Sequence, residues 1–176
     1  NGVQFATYLN EGLMTGIFLD QKEVRGRLVD GFAVGKTVLN MFSYTGAFSV
    51  AAAMGGAVAT TSVDLAKRSL PKTTEQFEVN HLNLAPQKII VMDVFDYFKY
   101  ASRKGLSYDM IILDPPSFAR NKKKVFSVAK NYGELVKDSI DILTDKGTLI
   151  ASTNAANLSL AKYQKMVITA LQEKNV

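Results

Sequence analysis

Val38-Leu-Asn-Met-Phe-Ser-Tyr-Thr-Gly-Ala-Phe-Ser-Val-Ala-Ala-Ala-Met-Gly-Gly56 passes from a short apolar run, through a turn of small and hydroxylated residues, into an alanine-rich segment. In order these read as a buried strand, a tight turn and a helix able to approach a sheet closely. Two later stretches repeat the theme. Residues 57–63 read as a strand that delivers Asp64, and residues 108–113 as another that delivers Asp114-Pro-Pro-Ser-Phe118. The Met-Ile-Ile-Leu core of the latter is apolar throughout, as a strand covered on both faces should be. In a doubly wound sheet all three places fall along the carboxyl edge of the strands, where open α/β folds bind ligands.

Working outward, the periodicity predicts strands at 37–42, 57–63, 88–92, 108–113 and 147–153. Helices are predicted at 46–54, at 65–80 despite Pro71, and at 94–103, 131–143 and 158–172. Such alternation with short connections argues for an α/β fold with a parallel sheet. Ahead of it, Gln4 to Leu9 reads as a strand, residues 10–12 as a turn and residues 13–19 as a second strand or extended arm, giving a hairpin arm over 1–20. From position 21 the main domain is expected to run to 176, opening with a helix that Asp20 could cap, on which Val24, Leu28, Val29 and Phe32 recur at helical spacing. The chain lacks an initiator methionine and stops just after the fifth strand and its helix, so a fragment of a longer protein, truncated beyond strand five, is expected.

A chain of 176 residues fits one domain. It holds no cysteine, which removes disulfides, thiolate metal sites and cysteine nucleophiles, and its single histidine, His81, reads as a surface residue. No metal site is expected. Nothing suggests a membrane span or signal peptide, so the expected location is the cytoplasm. The formal charge of +5 favours polyanionic partners. Arg120, Lys122, Lys123 and Lys124 follow directly on the Asp-Pro-Pro motif and read as phosphate-binding; Lys67-Arg68, Lys72 and Arg103-Lys104 form smaller clusters.

The turn at 43–46 has one glycine where a dinucleotide-binding loop has three, which argues against a nicotinamide cofactor. Together with Asp64, eighteen residues after Gly46, Asp93 after the third strand, and Asp114-Pro-Pro, the pattern resembles the class I S-adenosylmethionine-dependent methyltransferases. The wording of the motifs is similar to the branch that methylates bases of bacterial large-subunit (23S) ribosomal RNA. Met14-Thr-Gly-Ile-Phe-Leu-Asp-Gln-Lys-Glu-Val-Arg25 resembles the Thr-Gly-x-Phe-Leu-Asp-Gln-Arg segment of that branch, with Lys22 where arginine is common. The resemblance implies a Rossmann-like fold, S-adenosyl-L-methionine as cofactor, ribosomal RNA as partner, and an RNA-binding domain ahead of the catalytic one in longer relatives. It implies cofactor contacts from Phe18, Gln21 and Arg25, from Ser43, Tyr44, Thr45 and Gly46, from Asp64 to the ribose and from Asp93 to the adenine.

The chemistry is expected at Asp114, Pro115, Pro116 and Phe118. Two prolines fix the backbone and remove two N–H donors, leaving carbonyl acceptors beside an acid, and Phe118 can stack on an extruded base. Methylation of pyrimidine carbon 5 needs a covalent nucleophile, usually a thiolate, and relatives of that kind carry cysteines just after strand five. Here that stretch is Ala151-Ser-Thr-Asn-Ala-Ala-Asn157. A nitrogen is therefore the expected target, and the closer resemblance to relatives that methylate guanine implies a guanine nitrogen. The alternatives are a 5-methylcytosine enzyme with an unconventional nucleophile and a non-catalytic ribosome assembly factor; the oligomeric state is open.

Overall fold

A computed structural model of the protein describes residues 2–10, 15–120, 125–156 and 158–176. In chain order its elements begin with α1 (Lys22–Arg27), β1 (Thr37–Met41), α2 (Ala47–Met54), β2 (Ala59–Asp64), α3 (Ser69–Glu78) and β3 (Gln87–Val91). There follow α4 (Val94–Arg103), β4 (Tyr108–Leu113), β5 (Phe118–Arg120), β6 (Val125–Ser127), α5 (Val128–Ile140), β7 (Leu143–Ala151) and α6 (Leu160–Glu173). Five strands form one parallel sheet in the order β3-β2-β1-β4-β7, and β5 and β6 form a separate antiparallel hairpin. This is the α/β architecture that the alternation of the sequence predicts. Among the described residues no helix is long and apolar enough to cross a membrane.

The two faces of the sheet are written into alternate residues of its central strands. On β1 and β4, Val38, Met110 and Ile112 pack with Phe48, Ala51 and Ala52 of α2 and with Leu28, in the segment that follows α1. Leu39, Met41, Ile111 and Leu113 face the other way, onto Tyr97, Phe98, Leu135 and Val136 of α4 and α5. These side chains are wholly or almost wholly buried, and burial of each contributes about 1.5–3 kcal/mol. The alanines of α2 let it lie close on the sheet; the polar Asn40 is accommodated there by Ser49, which in turn meets Ser62.

Boundaries differ from expectation for local reasons. The helix expected from 65 begins at Ser69, because the Asp64 carboxylate accepts the Ala66 N–H at 2.8 Å and holds a turn ahead of it. Pro71 thereby lands in the first helical turn, where no N–H is needed. α5 starts three residues earlier than expected, directly after Val125–Ser127, which pair with Phe118–Arg120 as β6 and β5. β7 starts at Leu143, ahead of an irregularity, and its regular pairing with β4 resumes at Thr148. Asp20 makes no capping bond; it lies in a tight turn, Leu19–Gln21, leading into α1.

Gln4 to Leu9, expected as a strand, joins no sheet: residues 2–8 lack regular secondary structure, residues 9–10 turn, and the partner of this segment is mainly a helix. Gln76 of α3 accepts the Ala6 N–H at 2.9 Å and donates to the Ala6 carbonyl at 2.8 Å. One turn on, Asn80 does the same for Gln4, with both bonds 2.8 Å. Spaced i, i+4, two amide side chains thus satisfy alternate residues of an extended chain as a neighbouring strand would. The Tyr8 hydroxyl donates to Glu75 at 2.6 Å, and Lys72 sits 4.0 Å from the centre of its ring. Tyr8 N–H also reaches the Thr15 carbonyl, the one backbone link between the two halves of the arm among the described residues; the expected turn and positions 11–14 lie outside them.

Replacing Gln76 and Asn80 together by alanine should free the arm while leaving the sheet intact. Each side chain supplies two hydrogen bonds, so local opening should become easier by about 1–3 kcal/mol per residue. Hydrogen exchange should show lost protection at Gln4 and Ala6 with unchanged protection along β1; unchanged exchange at the arm would refute the clamp.

Candidate active site

Strand register sets the site. Met41 of β1 pairs with Val63 and Leu113, Leu113 with Ala151, and Asp64 with Val91. The strands therefore end side by side, and the chain leaves the sheet at Phe42, Asp64, Asp114, Ser152 and Met92–Asp93 along one edge. There a cleft of about 620 Å³ opens, within the range of small-molecule sites. Asp64, Asp93 and Asp114 line it, as do Tyr44, Phe18, Pro115 and Pro116.

The turn after β1 is unusual in its backbone. Phe42, Tyr44 and Gly46 have φ of 58°, 51° and 77°. Left-handed conformations at non-glycine residues cost of order 1 kcal/mol or more and need fixing from outside. The Asp64 carboxylate supplies part of this, accepting the Tyr44 N–H at 2.9 Å with one oxygen and the Ala66 N–H at 2.8 Å with the other. At Gly46 a Cβ would come within 2.4 Å of Thr73 Cγ2, so glycine is required there by both space and φ. Asp93 caps α4, accepting the Phe95 N–H at 3.0 Å, while lining the cleft.

Not every residue expected at a cofactor lies on the cleft wall. Thr45 is buried and donates its hydroxyl to the Gly16 carbonyl at 2.6 Å, so it anchors the arm. Ser43 is buried beneath the turn with no protein partner for its hydroxyl, and Gly46 forms the floor of the bend. Arg25 is only 7% exposed and donates to the Phe18 carbonyl at 2.7 Å. Burial pulls its pKa down, opposed by the charges of Asp20 and Asp114. Phe18 lies over Tyr44 with ring centres 5.5 Å apart. Gln21 points to the Asp-Pro-Pro motif, donating to Asp114 Oδ1 at 3.3 Å.

Asp114 is the most constrained acid of the cleft. The Ser152 hydroxyl donates to the same Oδ1 at 2.5 Å. The Ser152 backbone is held in turn, its N–H by the Leu113 carbonyl and its own carbonyl by the Tyr132 hydroxyl at 2.7 Å. Burial raises the Asp114 pKa, the Ser152 bond lowers it, Asp20 raises it and Arg25 lowers it. Pro115 is buried and Pro116 exposed, both on the wall. Phe118 is not on the wall; it stands 61% exposed on the hairpin. Phe126, paired with Ala119 across the β5–β6 ladder, takes the inner place against Phe42 and Phe95. Arg120 pairs with Val125 through the hairpin backbone, and Lys122, Lys123 and Lys124 lie outside the described residues.

Sequence reasoning missed Ser152, Phe126, Asn131 and Asn154, the last of which accepts from Ser117 at 3.0 Å. It also left Arg68 and Lys72 as unassigned surface charge, whereas both line the cleft. Their helical position after Asp64 was the available signal. Among the described residues no group of three or more His, Cys, Asp or Glu side chains is placed to hold a metal ion.

Comparison with known proteins matches this architecture to a model of the S-adenosylmethionine-dependent methyltransferase family over residues 1–164. The chain belongs to that family. It is 59% identical over 175 residues to YwbD of Bacillus subtilis, a putative ribosomal RNA large subunit methyltransferase, covering 99% of this chain and 44% of that protein. It is 35% identical to a ribosomal RNA large subunit methyltransferase of Deinococcus radiodurans, over 98% of this chain and 42% of the relative. Among solved structures it superposes on SMU.776, crystallised as a complex with SAH, with a TM-score of 0.95 at 60% identity, covering 97% of this chain and 45% of that one. The methyltransferase chain thus spans less than half the length of these relatives.

The raised Asp114 pKa has a consequence for stability. With its folded pKa above the unfolded value, the native state binds more protons in the interval between them, so stability falls as pH rises through it. Asp114→Asn keeps an oxygen for Ser152 and Gln21 and removes the charge. It should melt at a higher temperature than wild type at about pH 7, and the difference should close as pH falls below the usual carboxylate range. Thermal melts showing no gain at neutral pH would contradict this account of the acid.

Proposed function

We propose that the protein is the catalytic portion of a large-subunit ribosomal RNA methyltransferase that modifies a guanine nitrogen. The observation that carries this reading is the side-by-side placement of the β1 turn and Asp64 with a locked Asp114-Pro115-Pro116 across one cleft. The ribosomal RNA substrate is supported by the names of the Deinococcus radiodurans relative and of a 37% identical Neisseria meningitidis relative, ribosomal RNA large subunit methyltransferase K.

The cleft fits S-adenosyl-L-methionine by its donors and acceptors. Asp64 already accepts a backbone N–H at each oxygen, and a carboxylate has capacity for about two further acceptor bonds, enough for a pair of ribose hydroxyls. Asp93 on the next strand suits an exocyclic amine, and Phe18 with Tyr44 supplies an apolar cover. When bound, the cofactor supplies an electrophilic methyl group on a sulfonium.

The protein's own residues then have to orient the base. Ser152 and Gln21 both hold Oδ1 of Asp114, which aims Oδ2 at a base N–H. The Pro-Pro turn offers acceptors and no competing N–H, and Phe126 walls the site with an aromatic face. Exposed Phe118 is placed to stack on a base extruded from its helix. A guanine nitrogen brings its own electron pair, so positioning supplies the catalysis and no covalent nucleophile is needed. Asp114 is the group to receive the proton that the nitrogen sheds.

Asp64→Ala should weaken cofactor binding by about 1.5–3 kcal/mol, the loss of a charge-assisted pair. Titration calorimetry on the full-length protein measures it, and unchanged affinity would remove Asp64 from the site.

Asp114→Asn in the full-length enzyme should cut methyl transfer sharply while cofactor affinity stays within a few-fold of wild type. Nucleoside mass spectrometry of 23S ribosomal RNA from cells with and without the gene should show loss of a methylated guanosine. Loss of 5-methylcytidine instead would refute the nitrogen assignment, and unchanged RNA would favour an assembly factor.

A further inference from the structure

Away from the cleft, α5 and α6 face each other across a groove of about 490 Å³. On α5 its wall is Ala129, Lys130, Gly133, Glu134 and Lys137, one stripe at helical spacing; on α6 it is Lys162, Lys165, Met166, Thr169, Ala170 and Glu173. The floor is made of small residues. At Gly133 even a Cβ would stand 3.9 Å from the Met166 carbonyl, so the helices approach closely and leave a trough with little side-chain filling. Long cationic side chains form the rim.

Of the four lysines, Lys137 is committed to Glu173 at 2.9 Å. Lys130, Lys162 and Lys165 are exposed and, among the described residues, have no carboxylate partner within ion-pair distance. The remaining acid, Glu134, lies between Lys130 and Lys137 on the same stripe, so cations flank it on both sides. Both helices begin where the chain returns from the carboxyl edge of the sheet, which places Lys130, Lys162 and Lys165 at the end of the groove nearest the catalytic cleft. The two depressions meet: Glu134 lines both, and Asn131, adjacent to Lys130, lines the cleft.

We infer that this groove is an RNA-docking surface in which Lys130, Lys162 and Lys165 hold phosphates of a single strand leading away from the catalytic cleft. The inference rests on the reading of the protein as an RNA methyltransferase and adds the path of the substrate. A trough with a neutral, small-residue floor and a cationic rim suits a phosphate backbone, which needs charge along its track and space for bases that it does not specify. It also explains how a strand can be gripped while one base is turned into the cleft, since contacts to backbone position the substrate without reading its sequence.

The test is RNA binding by the full-length protein as a function of salt, with a 23S ribosomal RNA transcript as probe. The variant K130Q/K162Q/K165Q is compared with R103Q/K104Q/K146Q, which removes the same charge from exposed residues elsewhere. Loss of three single-strand phosphate contacts should lower the slope of log K against log salt by about 2, at roughly 0.7 per contact, while the control keeps its slope. Cofactor affinity should not change in either variant. Equal slopes for the two variants would overturn the groove and leave the functional reading standing. A wild-type protein that fails to bind the transcript would overturn both.

Discussion

Strands β1 and β4 run parallel at the centre of the sheet with neither face open to water, and the site depends on that pairing. Leu39, Met41, Ile111 and Leu113 pack on one side, Val38, Met110 and Ile112 on the other. A slip by one residue would exchange both faces at once and carry Asn40 into the opposite layer. With the register held, Met41 stands beside Leu113, and the turn after β1 must open beside Asp114. This is also the point where strand order reverses, the place at which open α/β sheets leave a crevice.

The N-terminal arm closes the crevice from above, and few of its attachments are to the sheet. Gln76 and Asn80 hold its extended part on α3, Thr45 ties Gly16 to the β1 turn, and Arg25 fixes the Phe18 carbonyl. Gln21 then reaches Asp114. Separate hydrogen bonds along the described parts of the arm thus tie it to the outer helix, to the β1 turn and to the acid of the Asp-Pro-Pro motif. Any displacement of the arm would be felt at both ends of the cleft.

Acids dominate the cleft wall, and each is restrained differently. Asp64 and Asp93 accept backbone N–H groups and so rest in fixed orientations. Asp114 accepts from the Gln21 and Ser152 side chains and is desolvated; burial raises its pKa against the lowering effect of the Ser152 bond. The buried Arg25 offsets part of the charge on Asp114, and Arg68 and Lys72 line the cleft.

The central strands, the alanine-rich helix and the order of elements were legible because burial on both faces leaves an uninterrupted apolar run, and the first acid after such a run stands out. Asp64, Asp93 and Asp114 were visible for that reason, and all three line one cleft. Ser152 was not, since its bond to Asp114 spans 38 residues and exists only because Leu113 pairs with Ala151. The pairing of 118–120 with 125–127 was hidden by the shortness of the two strands. Gln76 and Asn80 look like ordinary polar helix positions until an extended segment is laid against them. The α5–α6 groove unites lysines more than thirty residues apart in sequence. Local sequence determined which segments had to be buried; strand register and helix packing, which depend on contacts between distant residues, decided which polar groups those buried segments would bring together.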